Sequence, residues 1–410
     1  MPRFTQDYRP LYFLAALGAG GLSVSFFMYL MFLIPHPDTP IPTFESLVNV
    51  YANEGLGLQV MTTLALAGIA FFAVRHFLVL TANLRAFGEL RRGPAYETLR
   101  SSNAEVTLMA VPLTLGMTVN VLFILGALAV PGLWSVIEFA LPIALVAFSA
   151  VGALAIFFFG RYLSRLIVGR GFDAEDTNHF SQILPAFAFS MIAVGFGASA
   201  AMSSVTATSV LGMIGAFLFL AATAAWVLVK LPVSFAAILR KGLAVEAGPT
   251  LWMGIPIFTL IGITFIRVGS GVSHNLLDTA LSPVLAFVVL GMLVAGQLVM
   301  GMIGWAVMRR QGYFNRFVWG NEGSVPSYGL ICPGVALAVL GMFFIHWGLV
   351  KTDIVTMFSP VHFALLALVA LLQVRTIQTL IHLDRKLFGD AREAVDEEPT
   401  PMREAQLETV

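Results

Sequence analysis

The stretch LICPGVALAVLGMFF, residues 330–344, is apolar enough to lie in a lipid bilayer, yet it carries Pro333 close to its start. A proline removes a backbone donor and disturbs the helix around it. The same arrangement recurs in VPLTLGMTVNVLF with Pro112, LPAFAFSMIAVGF with Pro185 and IPIFTLIGITFIR with Pro256. Separations of 73, 71 and 77 residues between successive prolines indicate an internal repeat.

The composition excludes an ordinary soluble domain. Of the 410 residues, 58% are hydrophobic and 11% are charged, and the mean hydropathy is +0.87. Soluble domains carry about 25% charged residues. A formal net charge of zero gives no electrostatic reason to expect a nucleic-acid partner. The single cysteine, Cys332, excludes an intramolecular disulfide and a multi-cysteine metal site.

Apolar blocks of about 20 residues each are long enough to span a bilayer. The first block is too long for the apolar core of a signal peptide, so we expect it to be a membrane helix. Residues 232–250 are too polar to span and are expected to lie at the cytoplasmic interface. The sequence predicts ten spans, at residues 12–34, 56–80, 106–130, 134–160, 181–203, 207–231, 251–269, 281–307, 328–350 and 359–382.

Cationic residues cluster before span 1, in every second connection and after span 10. The opposite connections carry Lys351, with Arg267 near their edge. Because cytoplasmic loops are enriched in Lys and Arg, both termini are predicted to be cytoplasmic. The clustered cations are Arg3, Arg9, Arg85, Arg91, Arg92, Arg100, Arg161, Arg165, Arg170, Lys230, Arg240, Lys241, Arg309, Arg310, Arg316, Arg385, Lys386, Arg392 and Arg403.

The repeat unit is a helical hairpin, made of an odd-numbered span and the even-numbered span that follows it. Span 1 lacks the proline but contains Gly18, Gly20 and Gly21. Non-ideal helices at membrane depth are tolerated where they line a cavity. We therefore predict that the four prolines kink the odd spans around a central pore. The membrane domain is predicted to cover residues 1–385, and residues 386–410 to form an acidic, disordered cytoplasmic tail.

Aligning the four segments on their prolines defines one helix face, since residues three apart lie on the same side of a helix. Eleven residues after the proline come Phe123, Phe196, Arg267 and Phe344. Eight residues after it come Asn120, Ala193, Thr264 and Gly341. In span 1, either Phe26 with Ser23 or Phe27 with Val24 fits these two columns. These residues are the candidates for the pore lining and its gate.

Ten spans, both ends inside, five tandem hairpins and prolines in the odd spans resemble the tellurite-resistance/dicarboxylate transporter family, which includes bacterial TehA and the plant slow-type anion channels. The resemblance covers roughly residues 10–385. It implies an all-α membrane protein with a quasi-five-fold ring of hairpins, odd helices inside and even helices outside. It also implies a narrow central pore plugged by a phenylalanine side chain, and a homotrimer in the membrane.

Three residues of the aligned face have polar side chains. Arg267 is expected either to attract anions toward the outer vestibule or to reach the interface from the end of span 7. Asn120 and Thr264 either donate hydrogen bonds to a dehydrated anion or join neighbouring helices.

Other polar residues have two interpretations each. Arg75 and His76, late in span 2, are expected to face the cytoplasmic interface, the alternative being a buried polar site. Glu138 is expected to be a surface carboxylate, the alternative being a titratable group coupled to transport. Cys332 is expected to be a small buried hydrophobe, the alternative being a redox-sensitive thiol.

The leading hypothesis is passive, channel-like transport of small anions across a bacterial plasma membrane, with no cofactor or metal. Weak binding suits such a pore, because a tightly held ion does not leave. One alternative is a proton-coupled exporter of organic acids or sulfur-containing anions, with Glu138 as its carboxylate. Another is a haem- or quinone-binding anchor of a respiratory oxidoreductase, with His346 and His362 as ligands. No catalytic motif stands out, so we expect no enzyme activity.

Overall fold

The computed structural model describes residues 3–168 and 178–389 and is 84% helical. Ten helices in the described part are long and apolar enough to cross a membrane. They confirm the ten predicted spans and make the chain a multi-pass helical membrane protein. The spans run Pro10–Leu33, Leu56–Leu90, Asn103–Ala129, Leu133–Val168, Phe180–Met202, Thr206–Lys241, Val245–Leu276, Pro283–Arg310, Val325–Val350 and Pro360–Leu387.

Most of each span is α-helix, and two short helices lie between spans. The α-helices are α1 Phe13–Leu33, α2 Phe44–Asn53, α3 Leu56–Leu90, α4 Pro94–Ser101, α5 Ala110–Ala129, α6 Ile137–Val168, α7 Leu184–Met202, α8 Thr206–Lys241, α9 Gly254–Leu276, α10 Pro283–Arg310, α11 Ile331–Phe343 and α12 Pro360–Leu387. Residues Phe314–Val318 and Phe344–Val350 wind as π-helices, the second completing span 9. Residues 232–241, predicted to be interfacial, continue α8 as helix.

Two short strands hold the two ends of the described chain together. Strand β1, Arg3–Phe4, pairs antiparallel with β2, Phe388–Gly389. The first residues of the predicted tail are therefore ordered, since α12 continues through Leu387. The rest of the tail, residues 390–410, and Arg170 lie outside the described residues.

Each odd span opens with a 3-10 turn and then becomes α-helical. The 3-10 turns are Pro10–Tyr12, Asn103–Met109, Phe180–Ile183, Val245–Trp252 and Val325–Leu330. Pro112, Pro185, Pro256 and Pro333 each lie in the first turn of the α-helix that follows. A first-turn residue has no intrahelical partner for its N–H, so proline costs little there. The repeated prolines thus mark the change from 3-10 to α geometry rather than the middle of a helix.

Burial separates the odd spans from the even spans. In the most apolar part of each odd span, 56–94% of the residues are buried, compared with 17–39% in the even spans. The even spans expose large apolar side chains such as Phe139, Met292 and Leu368. Such side chains suit contact with lipid, where exposed apolar surface carries no hydration cost.

The helix contacts follow the hairpin pattern. Each odd span packs against the even span that follows it. Span 1 also packs against spans 3 and 9, and span 7 packs against spans 5 and 9. Spans 3 and 5 are in contact as well. Close approach needs small residues: a Cβ on Gly212 of span 6 would lie 2.7 Å from Ala200 N and 2.8 Å from Phe196 O of span 5.

Candidate functional site

A cavity of about 140 Å³ lies among the five odd spans. We call it the central cavity. Span 4 and Ile41, from the connection after span 1, complete its wall. Most of the lining is apolar, with aliphatic, methionine and phenylalanine side chains. Asn120 and Arg267 bring the longest polar side chains to this wall.

A second cavity, of about 260 Å³, lies at the end of the odd spans that carries the prolines. We call it the proline-side cavity. It is lined by the opening turns of spans 5, 7 and 9 and by the start of span 1, and its polar groups include His179 and Glu246. Phe187, Pro256 and Cys332 line both cavities. These three residues, here called the partition, therefore lie where the two cavities adjoin.

Arg267 gives the central cavity its charge. Its Nη1 donates a hydrogen bond to the carbonyl oxygen of Val194 at 2.8 Å, which fixes the guanidinium between spans 7 and 5. Arg267 is the charged member of the lining, and within residues 3–168 and 178–389 no carboxylate forms an ion pair with it. A cation in an apolar cavity is screened little by water, so its field favours an anion.

The structure selects one of the two registers for span 1. Phe27 and Val24 line the central cavity. Phe26 instead stacks on Phe72 of span 2 with ring centroids 5.8 Å apart. Ser23 Oγ donates to the carbonyl oxygen of Ile69, also in span 2, at 3.1 Å. Phe26 and Ser23 therefore join the two helices of the first hairpin, away from the cavity.

Both aligned residues of span 3, and one of the two in span 7, line the central cavity. Phe123 and Asn120 of span 3 line the central cavity, as does Arg267 of span 7. The Asn120 amide donates to Met191 Sδ at 3.5 Å, a long contact that leaves the amide available to a ligand. Thr264 does not reach the cavity: it is fully buried and its Oγ1 donates to Leu260 O at 2.6 Å, within its own helix.

The same alignment places spans 5 and 9 incorrectly. Phe196 stacks on Phe219 of span 6 with centroids 5.8 Å apart, and Ala193 is buried outside the cavity wall. Phe344 stacks on Phe287 of span 8, also at 5.8 Å. A Cβ on Gly341 would point to Val369 of span 10. These residues lie between helices, outside the wall of the central cavity.

The proline is therefore not a fixed reference for the cavity face. Pro185 is the second residue of its α-helix and Pro112, Pro256 and Pro333 are the third, yet Thr264 and Gly341 also lie outside the cavity wall. Beyond Phe343, span 9 continues as a π-helix, which changes the register at Phe344. Among the prolines, Pro256 and Pro333 line the proline-side cavity, while Pro112 and Pro185 are buried in helix contacts.

Phe187 of the partition was not among the predicted residues. It lies two residues after Pro185, near the start of span 5, and is 5% exposed. A phenylalanine in an apolar helix gives no sequence signal that separates a pore position from a helix contact. The only local cue is its distance from the proline, and that cue depends on where the α-helix begins.

Arg75 and His76 both have polar partners on other spans, and α3 continues past them through Leu90. Arg75 is half-buried, so an interfacial position for it stays a prediction. Arg75 pairs with Asp384, which also accepts a hydrogen bond from Tyr328 Oη at 2.9 Å. His76 is fully buried, with Nδ1 2.8 Å from Ala16 O and Nε2 3.0 Å from Thr118 Oγ1.

Glu138 anchors a turn. Its carboxylate accepts hydrogen bonds from Ser203 Oγ at 2.6 Å, from Ser204 N at 2.6 Å and from Ser204 Oγ at 2.8 Å. These bonds tie the start of span 4 to the turn between spans 5 and 6. Glu138 lines neither cavity.

His346 and His362 contact one another directly. Their Nε2 atoms are 3.2 Å apart, and both side chains are buried. A haem iron bound by both would have to lie between these atoms, together with the porphyrin plane. The direct contact leaves no space for it. Among the described residues, no group of three or more His, Cys, Asp or Glu side chains is placed to hold a metal.

No protein-family model and no curated protein sequence matches this chain. The likeness to the tellurite-resistance/dicarboxylate transporter family therefore remains a prediction from the spans, the hairpins and the prolines.

Proposed function

We propose that this protein is a channel-like transporter of small anions. The observation that carries the proposal is Arg267, a cation that lines an otherwise apolar cavity enclosed by the odd spans. Arg267 is half-buried, and a charge held in apolar surroundings without a carboxylate partner is costly and marks a functional position. A permeating anion is the partner that this position lacks in the described residues.

The pairwise contacts of the odd spans support a ring. Span 1 contacts span 3, span 3 contacts span 5, and the series continues through span 7 to span 9, which returns to span 1. The stronger burial of the odd spans supports their inner position. We infer five hairpins arranged around the two cavities, in the manner that the family resemblance implies.

The two cavities define the proposed path. An anion enters the central cavity, meets Arg267 and Asn120, and reaches the partition of Phe187, Pro256 and Cys332. Because Arg267 also donates to Val194 O, part of its hydrogen-bonding capacity is already used. The resulting site is weak, as rapid release requires. Passage requires movement of the Phe187 side chain, since the Pro256 ring is closed onto the backbone and the Cys332 side chain is short.

A proton-coupled anion carrier is the second candidate. The observation that favours it is the pair of titratable side chains, His179 and Glu246, on the wall of the proline-side cavity. Glu138, the carboxylate that the sequence offers for this role, lines neither cavity. Coupled transport would make anion uptake follow a pH gradient when no electrical potential is applied, whereas a channel would not.

The test compares Arg267→Gln with Arg267→Lys in planar bilayers under a chloride gradient, both in a Phe187→Ala background. Removing the charge is expected to lower anion conductance by about tenfold, which corresponds to about 1.4 kcal/mol. The lysine variant keeps the charge and is expected to retain most of the current. Lys351→Gln, which removes a cation after the end of span 9, is the matched control. Equal conductance in the glutamine and lysine variants would contradict the proposal.

We further propose a bacterial inner-membrane location with both termini in the cytoplasm, and a homotrimer. These proposals rest on the distribution of Lys and Arg and on the family resemblance.

A further inference from the structure

The contact between His346 and His362 joins the two spans of the last hairpin. His346 belongs to the π-helix that ends span 9, and His362 lies in the first turn of span 10. Their rings are perpendicular, with centroids 5.2 Å apart. The His346 ring also stacks on Phe32 of span 1, with centroids 4.5 Å apart. Three spans thus meet at this pair.

The neighbouring groups decide where the ring protons lie. His346 Nδ1 is 2.8 Å from the carbonyl oxygen of Met342, so Nδ1 carries a proton and Nε2 accepts. His362 Nδ1 accepts a hydrogen bond from the backbone N–H of Phe358 at 3.2 Å, so its proton is on Nε2. His362 Nε2–H therefore donates to His346 Nε2. All four ring nitrogens of the neutral pair have partners.

An additional proton would disrupt this arrangement wherever it binds. On His346 Nε2 it would face the N–H of His362, and on His362 Nδ1 it would face the N–H of Phe358. In either case two donors point at each other, and a buried N–H loses its acceptor. A metal bound to both Nε2 atoms meets the same conflict, because it would force a proton onto His362 Nδ1.

The surroundings offer no carboxylate that would stabilise a charged pair. Among the described residues, no acidic side chain hydrogen-bonds to either ring. His36 binds the carbonyl oxygens of Met31 and Thr39, and the Lys351 ammonium lies over Trp347. Asp38, Asp278 and Asp353 are exposed. The Asp, Lys, Arg and other His side chains of the elements around the pair are His36, Asp38, Asp278, Arg309, Arg310, Lys351, Asp353, Arg375, His382, Asp384, Arg385 and Lys386.

We propose that His346 and His362 form a proton-sensitive latch, in which uptake of one proton breaks the contact between spans 9 and 10. Histidine ordinarily changes its protonation state between about pH 5 and pH 8, so acidification is the signal. Span 9 lines both cavities through Cys332, and a released end would change their shape. This effect on transport rests on the proposed function, whereas the latch itself does not.

Hydrogen exchange of residues 344–362, corrected for intrinsic rates, tests the latch at about pH 7.5 and about pH 5. In the wild type, protection of this segment is expected to fall by about tenfold on acidification, with no change in span 5. In His362→Gln the pH-dependent fall in protection is expected to disappear. The glutamine amide can donate to neutral His346 and can accept from protonated His346, so the contact survives at both pH values. His382→Gln, the same substitution at a half-buried site near the other end of span 10, should retain the fall in protection.

Equal protection at both pH values in the wild type would overturn the latch, as would an equal fall in His362→Gln. His346→Gln provides the same comparison if His362→Gln does not fold. Anion current is measured in parallel. A pH-dependent loss of protection without any anion current would support the latch and contradict the proposed transport function. Anion current without a pH-dependent loss of protection would contradict the latch but not the transport function.

Discussion

Phe187 shows that the position of a side chain around its helix decides whether it reaches the cavities. It contacts both cavities from span 5, whereas Phe196, nine residues later on the same helix, lies against span 6. The side chains are identical, and only their positions around the helix differ. A plug must project into the path, so position rather than residue type decides which phenylalanine has this role.

Replacing Phe187 with alanine is expected to raise anion conductance several-fold, because it removes the movable aromatic ring from the partition. Phe196→Ala and Phe344→Ala are the matched controls, and single-channel recording is the measurement. Both control substitutions remove a phenylalanine ring from the contact between two helices. They are therefore expected to cost about 3–5 kcal/mol of stability without a gain in conductance. A larger current from either control than from Phe187→Ala would contradict this assignment.

At the scale of the helices, close approach between spans 5 and 6 depends on Gly212. A Cβ there would lie within 2.8 Å of the span 5 backbone, which has no flexible side chain to move aside. Gly212→Ala is therefore expected to lower the thermal unfolding midpoint, at a cost of about 1–3 kcal/mol. Gly160→Ala in span 4 is the control, because a Cβ at Gly160 meets nothing within 4 Å. An equal effect of the two substitutions would show that the hairpin contact is not tight.

The short helix α2 is held by one charged hydrogen bond. The N–H of Gly132 donates to Glu45 Oε1 at 2.7 Å, and this bond holds the pKa of Glu45 below its ordinary value of 4.5. The carboxylate therefore stabilises the folded protein above pH 4.5, and this contribution is lost as the pH falls through the lower folded-state pKa. Glu45 thus connects the segment after span 1 to the turn before span 4.

Acidification is expected to increase hydrogen exchange in α2, and Glu45→Gln is expected to remove that dependence. The glutamine variant should show the same exchange above and below the titration, because its side chain carries no charge. Glu54→Gln, at the other end of α2, serves as the control and should retain the wild-type response. A wild-type α2 whose corrected exchange is constant down to about pH 3 would contradict the role of this bond.

At the scale of the whole molecule, the spans could be predicted because the hydropathy that marks each span is averaged over about 20 residues. Ten apolar blocks remained visible whatever the role of any single residue. The lining of the central cavity could not be predicted to the same degree. It depends on how each odd span is rotated against its neighbours, and contacts such as Phe196 with Phe219 of span 6 and Phe344 with Phe287 of span 8 are remote in sequence or leave no local pattern.

The surroundings of individual polar residues could not be predicted from the sequence either. The surroundings of Arg75 and His76 depend on how α3 packs against spans 1, 3 and 10. Their partners, Asp384 and Ala16, are remote in sequence, so local composition carried no information about them. Arg267 was identified because a single cation on an aligned apolar face is conspicuous in sequence and in space alike.

The central claim is that anions pass through both cavities by way of the partition. Cys332 lies in that partition and is the sole cysteine of the chain. The most direct measurement is the chloride-gradient current through Phe187→Ala before and after an anionic methanethiosulfonate reagent, with Phe187→Ala/Cys332→Ser as the control. We expect an anion-selective current that the reagent blocks in the first protein and leaves unchanged in the second. An anion current that the reagent does not alter in either protein would contradict this path.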